Sequence, residues 1–198
     1  MPRPAKVKLP VNKTLISEVL QRVSNAKTKA EKVNILQEYK SPALTKLLLC
    51  NFAKSIRFCF PDGKTPFTPN EVPKGIEHQY LFNEHKMVDK FIAKKVNGVV
   101  YYGCSNTTRP RIQQLKKEHL WMQLLENLHK DEAEVMDLIK DKKLTSKYKI
   151  TKQNVIDAFP ELRLQDEPTE IKSNSWCPSQ TSWWARCRDS RRHIVIRT

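Results

Sequence analysis

The residues able to do acid–base, nucleophilic or metal chemistry in this chain of 198 residues are 5 His, 5 Cys and 21 Asp+Glu. His78 and His85 stand seven positions apart. On one helix they would share a face but lie two turns from each other, beyond the reach of an i,i+4 metal pair. His85 falls within an apolar stripe and is expected to be partly buried there. His119 and His129 fall at a helix flank and near a helix end, where capping or compensation of the helix dipole is the expected role. Glu118, Glu126, Asp131, Glu132 and Glu134 alternate with lysine and leucine as a solvated helix face does, so they make no paired-carboxylate site. The cysteines (50, 59, 104, 177 and 187) are odd in number and have no C-x-x-C spacing, which argues for reduced thiols over a disulfide framework or zinc knuckle. Cys177, Cys187 and His193 lack a nearby fourth ligand and make a poor tetrahedral site. No nucleophile elbow, P-loop or HExxH motif is present. The expectation is a protein that is not an enzyme and uses neither cofactor nor metal.

What the chain offers instead is positive charge, +15 at pH 7 with 36 Lys+Arg. The excess is dispersed, which gives sequence-independent attraction to phosphate and also serves solubility. Two clusters stand next to predicted helices. Arg109, Arg111, Lys116 and Lys117 open a helix expected over Arg109 to Leu128, and Lys140, Lys142, Lys143, Lys147 and Lys149 surround Tyr148 between two helices. Each is a candidate phosphate-contacting edge, with a solubilising loop as the alternative. A third candidate surface is the stretch from Pro61 to Gly75. Its four prolines, with Asp62-Gly63 and Lys74-Gly75, forbid a continuous helix and favour an ordered loop. Within it Pro66, Phe67, Pro69 and Asn70 are the candidate partner-binding residues, Phe67 also serving to anchor the loop to the body.

The elements that position these groups are mainly helical. Only four Gly are present against the roughly 7% of an average protein, which disfavours glycine-rich phosphate loops and tight hairpins. Leu15, Ile16, Val19, Leu20 and Val23 repeat at helical spacing. Thr28 with Glu31 forms a capping box for a second helix to Tyr39. Ser41-Pro42 opens a third, bearing Leu44, Leu47, Leu48 and Phe52. Ile56 to Phe60 fits a short strand or an extended segment. Glu77 to Asn97 shows a helical stripe of Leu81, Phe82, His85, Val88, Phe91 and Ile92 and is expected to be one long helix stopped at Asn97-Gly98. Val99 to Tyr102 is a short β-prone run. The helix from Arg109 carries Trp121 and a wide leucine stripe and is expected to be central. Asp131 with Glu134 is expected to cap the next helix, and Thr151 caps a last one that Pro160 stops. The fold class is therefore a compact, mainly α, multi-helix domain of six or seven helices with a proline-rich loop and at most short strands.

That domain is expected over 12–162, after a flexible basic leader at 1–11 and before a polar linker and atypical tail at 163–198. Residues 173–198 contain no Lys but five Arg and three of the four Trp, whereas the preceding chain uses 25 Lys and six Arg. A frame-shifted or fused extension is the expectation, with an Arg/Trp stacking surface for single-stranded nucleic acid as the alternative. The longest strictly apolar run is Leu47 to Cys50, well short of a membrane span, and the first residues lack the apolar core of a signal peptide. A cytosolic protein is expected, and the Asn-x-Ser/Thr matches at Asn12 and Asn106 read as chance.

Several strings carry a resemblance: Lys32 to Tyr39 followed by Ser41-Pro42-Ala43-Leu44, Pro66-Phe67-Thr68-Pro69-Asn70 with Pro73 and Gly75, Leu124 to His129 leading through Glu132-Ala133 to Leu144, and Thr151 to Pro160. Together they resemble a family of small uncharacterised proteins from T4-like phages of marine bacteria, over about residues 14–162 and excluding the tail. The resemblance implies a phage protein of the host cytoplasm with a shared helical domain, and it supplies no catalytic residue. The expected function is that of a non-enzymatic accessory protein associating with DNA or RNA, or with a complex that handles it, through lysine-rich helix edges. The alternative is a protein-interaction or virion-associated module that docks a phage or host protein through its proline-rich loop.

Overall fold

The computed structural model describes residues 14–73, 79–96, 99–102, 112–162 and 164. Three helices come first: α1 (Ile16–Asn25), α2 (Lys29–Glu38) and α3 (Pro42–Phe52). Local chemistry fixes the starts of α2 and α3. Glu31 N donates to Thr28 Oγ1 and Thr28 N to Glu31 Oε2, both at 3.2 Å, so each side chain satisfies an amide with no helical partner. Leu44 N donates to Ser41 Oγ at 3.1 Å, with Pro42 at the position where a missing amide costs nothing. Leu15, at the head of α1, has no such side chain. The Ile16 amide donates instead to Glu132 Oε1 at 3.0 Å, across 116 positions of sequence.

The long helix expected over Glu77 to Asn97 does not form. Its place is taken by the single turn α4 (Leu81–Glu84), a 3₁₀ turn at Met87–Lys90 and strand β2 (Ile92–Val96). Strand β2 pairs antiparallel with β1 (Ile56–Phe58) on one side and β3 (Val99–Tyr102) on the other. The apolar stripe is real: Leu81, Val88, Phe91 and Ile92 are all buried. They reach the core on a different backbone, because pairing of Phe58 with Ile92 and of Val96 with Val99 provides long-range hydrogen bonds that helical periodicity cannot register. Asn97-Gly98, which suggested a helix stop, is equally a hairpin dipeptide and stands in sequence between two paired strands. Of the run from Ile56 to Phe60 only Ile56–Phe58 is a strand, and Val99–Tyr102 is a strand throughout.

The second half contains α5 (Gln114–Asn127), α6 (Lys130–Lys140), α7 (Leu144–Lys147) and α8 (Lys152–Ala158). Helix α5 carries Trp121, whose indole sits 5.0–5.6 Å from the rings of Phe58, Phe60 and Phe91 and joins the sheet to the helices in one core. Helix α2 packs on α8, and α3 and α1 both pack on α6. Thr151 caps α8 as expected, accepting from Asn154 N at 3.4 Å. The cap of α6 is His129 and not Asp131: Asp131 N donates to His129 Nδ1 at 3.1 Å. Capping as the role of His129 is thereby met. His85 is half-buried, its Nδ1 lying 2.7 Å from Phe82 O.

Glu132 departs most from a solvated helix face. It is 1% exposed, and its second oxygen accepts Leu81 N at 2.9 Å. One carboxylate thus satisfies the leading amides of α1 and α4, two helix N-termini whose partial positive charge suits it. Glu118 is also buried, accepting from Gln114 Nε2 at 2.7 Å. Replacing Glu132 by Ala leaves two buried amides unsatisfied and is expected to cost about 3 kcal/mol or more. Urea unfolding should show the loss, and hydrogen exchange should show Ile16 and Leu81 losing protection together. Protection lost at only one of them would contradict a shared anchor.

Candidate nucleic-acid interface

The lysine cluster from Lys140 to Lys149 does not form one patch. Lys140 points inward with 1% of its side chain exposed. Its ammonium pairs with Asp141 and donates to Pro61 O at 3.0 Å and Gly63 O at 2.9 Å. Lys142 lies at φ 58°, the left-handed position of a Schellman ending: its amide donates to Ile139 O and that of Lys143 to Leu138 O, at 3.0 and 2.8 Å. The Lys142 ammonium donates to Ala53 O. Lys140 is thereby buried within the fold, and Lys142, half-buried, is drawn toward α3 and away from Lys147 and Lys149. Lys143 is exposed and lies 3.5 Å from Asp141, while Lys147 pairs with Glu134 at 2.5 Å. Lys149 is exposed.

A different cation joins Lys149. Lys32 of α2 donates from Nζ to Lys149 O at 2.6 Å, and Lys149 N donates to Ser24 Oγ at 3.2 Å. The edge that results contains Lys32, Lys147 and Lys149 around Tyr148, whose ring lies 5.7 Å from Lys147 Nζ. Sequence spacing did not bring Lys32 into this group, because 117 positions separate it from Lys149. Beside it, hydrogen bonds from Lys29 and Gln153 hold the Asp157 carboxyl below its ordinary range, and the Lys29 pair is thereby neutralised.

In the other predicted cluster, Arg109 and Arg111 lie outside the described residues. Lys116 is exposed, but Lys117 is buried with its Nζ 5.0 Å from the Tyr102 ring centroid, so it stacks on β3 within the molecule.

The proline-rich loop is a strap bound to α5 and α6. Thr65 is buried and donates to Asp137 from both its amide (3.3 Å) and its hydroxyl (2.5 Å). Gly63 N donates to Asp141 at 3.1 Å, Thr68 N to Glu126 at 3.4 Å, and Lys130 N to Asn70 O at 3.2 Å. Phe67 packs against the core, as its anchoring role requires, and Pro66 is half-buried. Asn70 turns its own carboxamide back to accept Val72 N at 3.2 Å. Of the four candidate partner residues, Pro69 alone is exposed, the other three being half-buried.

Residues 19–146 match a family of unknown function (DUF6433). The chain belongs to this family. The DUF6433 span contains the strap, the three-stranded sheet and Glu132, and it stops one residue before Lys147. No curated protein and no solved structure matches the chain. Among the described residues no group of three or more His, Cys, Asp or Glu is placed to hold a metal ion, and no helix is long and apolar enough to cross a membrane. Cys50 and Cys59 are both buried and form no disulfide, while Cys177, Cys187 and His193 lie outside the described residues.

Two outcomes test these assignments. Lys140→Met deletes a buried ammonium and leaves Asp141 and two carbonyls without it, at an expected cost of about 3–5 kcal/mol. Nucleic-acid affinity of the folded variant should not change, and a loss at full folding would return Lys140 to the interface. Burial raises the Tyr148 phenol from 10 to about 12, with the Glu134 and Asp131 carboxylates adding to the effect. The folded state therefore favours the neutral phenol. Its stabilising contribution is complete below pH 10 and is lost as the pH rises toward 12. Tyr148→Phe should flatten that part of the stability profile, measured by denaturant melts alongside a tyrosinate absorbance titration.

Proposed function

We propose that this protein is a non-enzymatic phage accessory protein that associates in the host cytoplasm with nucleic acid, or with a complex that handles it. The contact is the edge formed by Lys32, Lys147 and Lys149. The observation that carries this reading is the seating of the Lys32 ammonium on the Lys149 carbonyl, which gathers cations from two distant segments onto one ordered site. A net charge of +15 adds the long-range attraction that brings a polyanion to such a site. Exposed Lys116 and Lys143 extend the positive field. Phosphate contacts of this kind position a protein on nucleic acid without reading its sequence.

The second reading, a protein partner on the strap, is favoured by the rigid backbone that presents Thr68 and Pro69 to solvent. The two separate in a salt titration of binding to single- and double-stranded DNA and RNA. A nucleic-acid partner gives a steep negative slope of log K against log salt, and Lys32→Glu with Lys149→Glu should reduce its magnitude by about 2 while weakening binding several-fold. Absence of binding at low salt would overturn the nucleic-acid reading and leave the strap as the docking surface.

A further inference from the structure

The chain from Lys90 to Lys117 holds seven Lys/Arg and no Asp or Glu over 28 residues, bracketed by Asp89 and Glu118. Strands β2 and β3 occupy its first half, and α5 begins at its end. Lys117, stacked on Tyr102, brings the two ends together.

Within the sheet, register decides what shares a face. Lys94 is paired with Ile56 on one side and with Tyr101 on the other, so all three project from the same face, joined by Val99 two residues before Tyr101. The inner part of that face, with Ile56, Phe58 and Ile92, is buried in the core. The outer part is open: Val99 is 43% exposed, Lys94 is exposed and Tyr101 is half-buried. Tyr102 alternates to the opposite face, where Lys117 holds its ring. Among the described residues, the Lys94 ammonium and the Tyr101 ring and hydroxyl have no hydrogen-bond, ion-pair or ring partner, and β3 is an edge strand.

We propose that this outer face of the β2–β3 hairpin is a stacking platform for an unpaired nucleic-acid strand, with Tyr101 receiving a base and Lys94 meeting the adjoining phosphate. The proposal rests on the polyanion reading above and names its partner more narrowly. A flat ring on an open sheet with a cation directly opposite accepts any base by its π-face, whereas the bases of a duplex are already stacked on each other. The strands that carry this face belong to a stretch with seven Lys/Arg and no Asp or Glu, so their own side chains suit phosphate. The Val99 side chain adds apolar surface that a sugar or base can cover.

The test uses the full chain and fluorescence anisotropy with labelled oligothymidylate of about 16 nucleotides, the upper site size of such platforms, and with a duplex of equal length. The wild type should prefer the single strand. Tyr101→Ala should weaken single-strand binding about tenfold, the loss of one stacked base, and leave duplex binding unchanged. Tyr101→Phe keeps the ring and should bind as the wild type does, which separates stacking from a merely structural role if the alanine variant is destabilised. Lys94→Glu should weaken binding and reduce the salt slope. Wild-type oligothymidylate affinity in Tyr101→Ala, or equal losses in the Ala and Phe variants, overturns the platform. If oligothymidylate binding then still depends on Lys32 and Lys149, the polyanion reading stands and the hairpin alone fails. If no probe binds even at low salt, both fail together.

Discussion

One carboxylate holds the two halves of this fold together. Glu132 accepts the leading amide of α1 and the leading amide of α4, segments 116 and 51 positions earlier in the chain. Neither helix has a side-chain cap of its own, and α4 is a single turn that could not persist without tertiary support. A buried helix end whose amides find no partner is costly, so the placement of both helices depends on the presence of this side chain on α6. Glu132 is in turn fixed by α6, which packs against both α1 and α3.

Helix α6 repeats the device along its length. Asp137 receives the amide and hydroxyl of Thr65, and Asp141 receives the amide of Gly63, so acids at 132, 137 and 141 bind backbone or hydroxyl donors from three separate segments. Lys140 complements them by donating to the carbonyls of Pro61 and Gly63. An irregular proline-bearing strap has few internal hydrogen bonds, and Asp137, Asp141 and Lys140 satisfy its polar groups where it crosses the body. The same arrangement explains why a run of lysines in sequence is no patch in space. Lys140 and Lys142 turn inward to carbonyls, Lys143 and Lys147 face carboxylates, and Lys149 is left to join a cation from α2.

Elements whose information lies within four residues could be read from the chain directly. The Thr28–Glu31 box, the Ser41-Pro42 start and the Thr151 cap are local contests between side-chain oxygens and orphan amides, and they resolve the same way in the fold. What escaped depends on distant partners. Leu81, Val88, Phe91 and Ile92 satisfy a helical period, yet the pairing of Ile92 with Phe58 and of Val96 with Val99 overrides it. Glu132 looks like its solvated neighbour Glu134 because nothing near it in sequence announces the amides it will meet. Lys32 lies in the second helix, read from its capping box and not for its charge, and its meeting with Lys149 depends on α2 packing against α8. The DUF6433 match covers the strap, the sheet, all of α6 and most of α7, while Ile16, Lys149 and α8 lie outside it.

The distinction between residues that build the fold and residues available to a partner follows from what each polar atom already touches. A surface for recognition needs rigid support beneath side chains whose faces and hydrogen-bonding capacity are uncommitted. A two-stranded hairpin alone is marginally stable and would supply no rigidity. Here β2 is flanked by β1, Cys59 N donates to Phe91 O at 2.8 Å just beyond the paired strands, and Gln114 Nε2 ties Cys59 O to α5 at 2.8 Å. Phe58 and Phe91 both lie against Trp121 in the core. The inner half of the sheet is therefore held from three directions, and its stiffness extends along continuous strands to the outer half. Lys94 and Tyr101 stand there on a fixed frame, in a stretch of chain without acids. The structural residues of this protein are concentrated on α6, and the side chains of Lys94 and Tyr101 lie on the outer half of the sheet, away from the polar bonds made by α6.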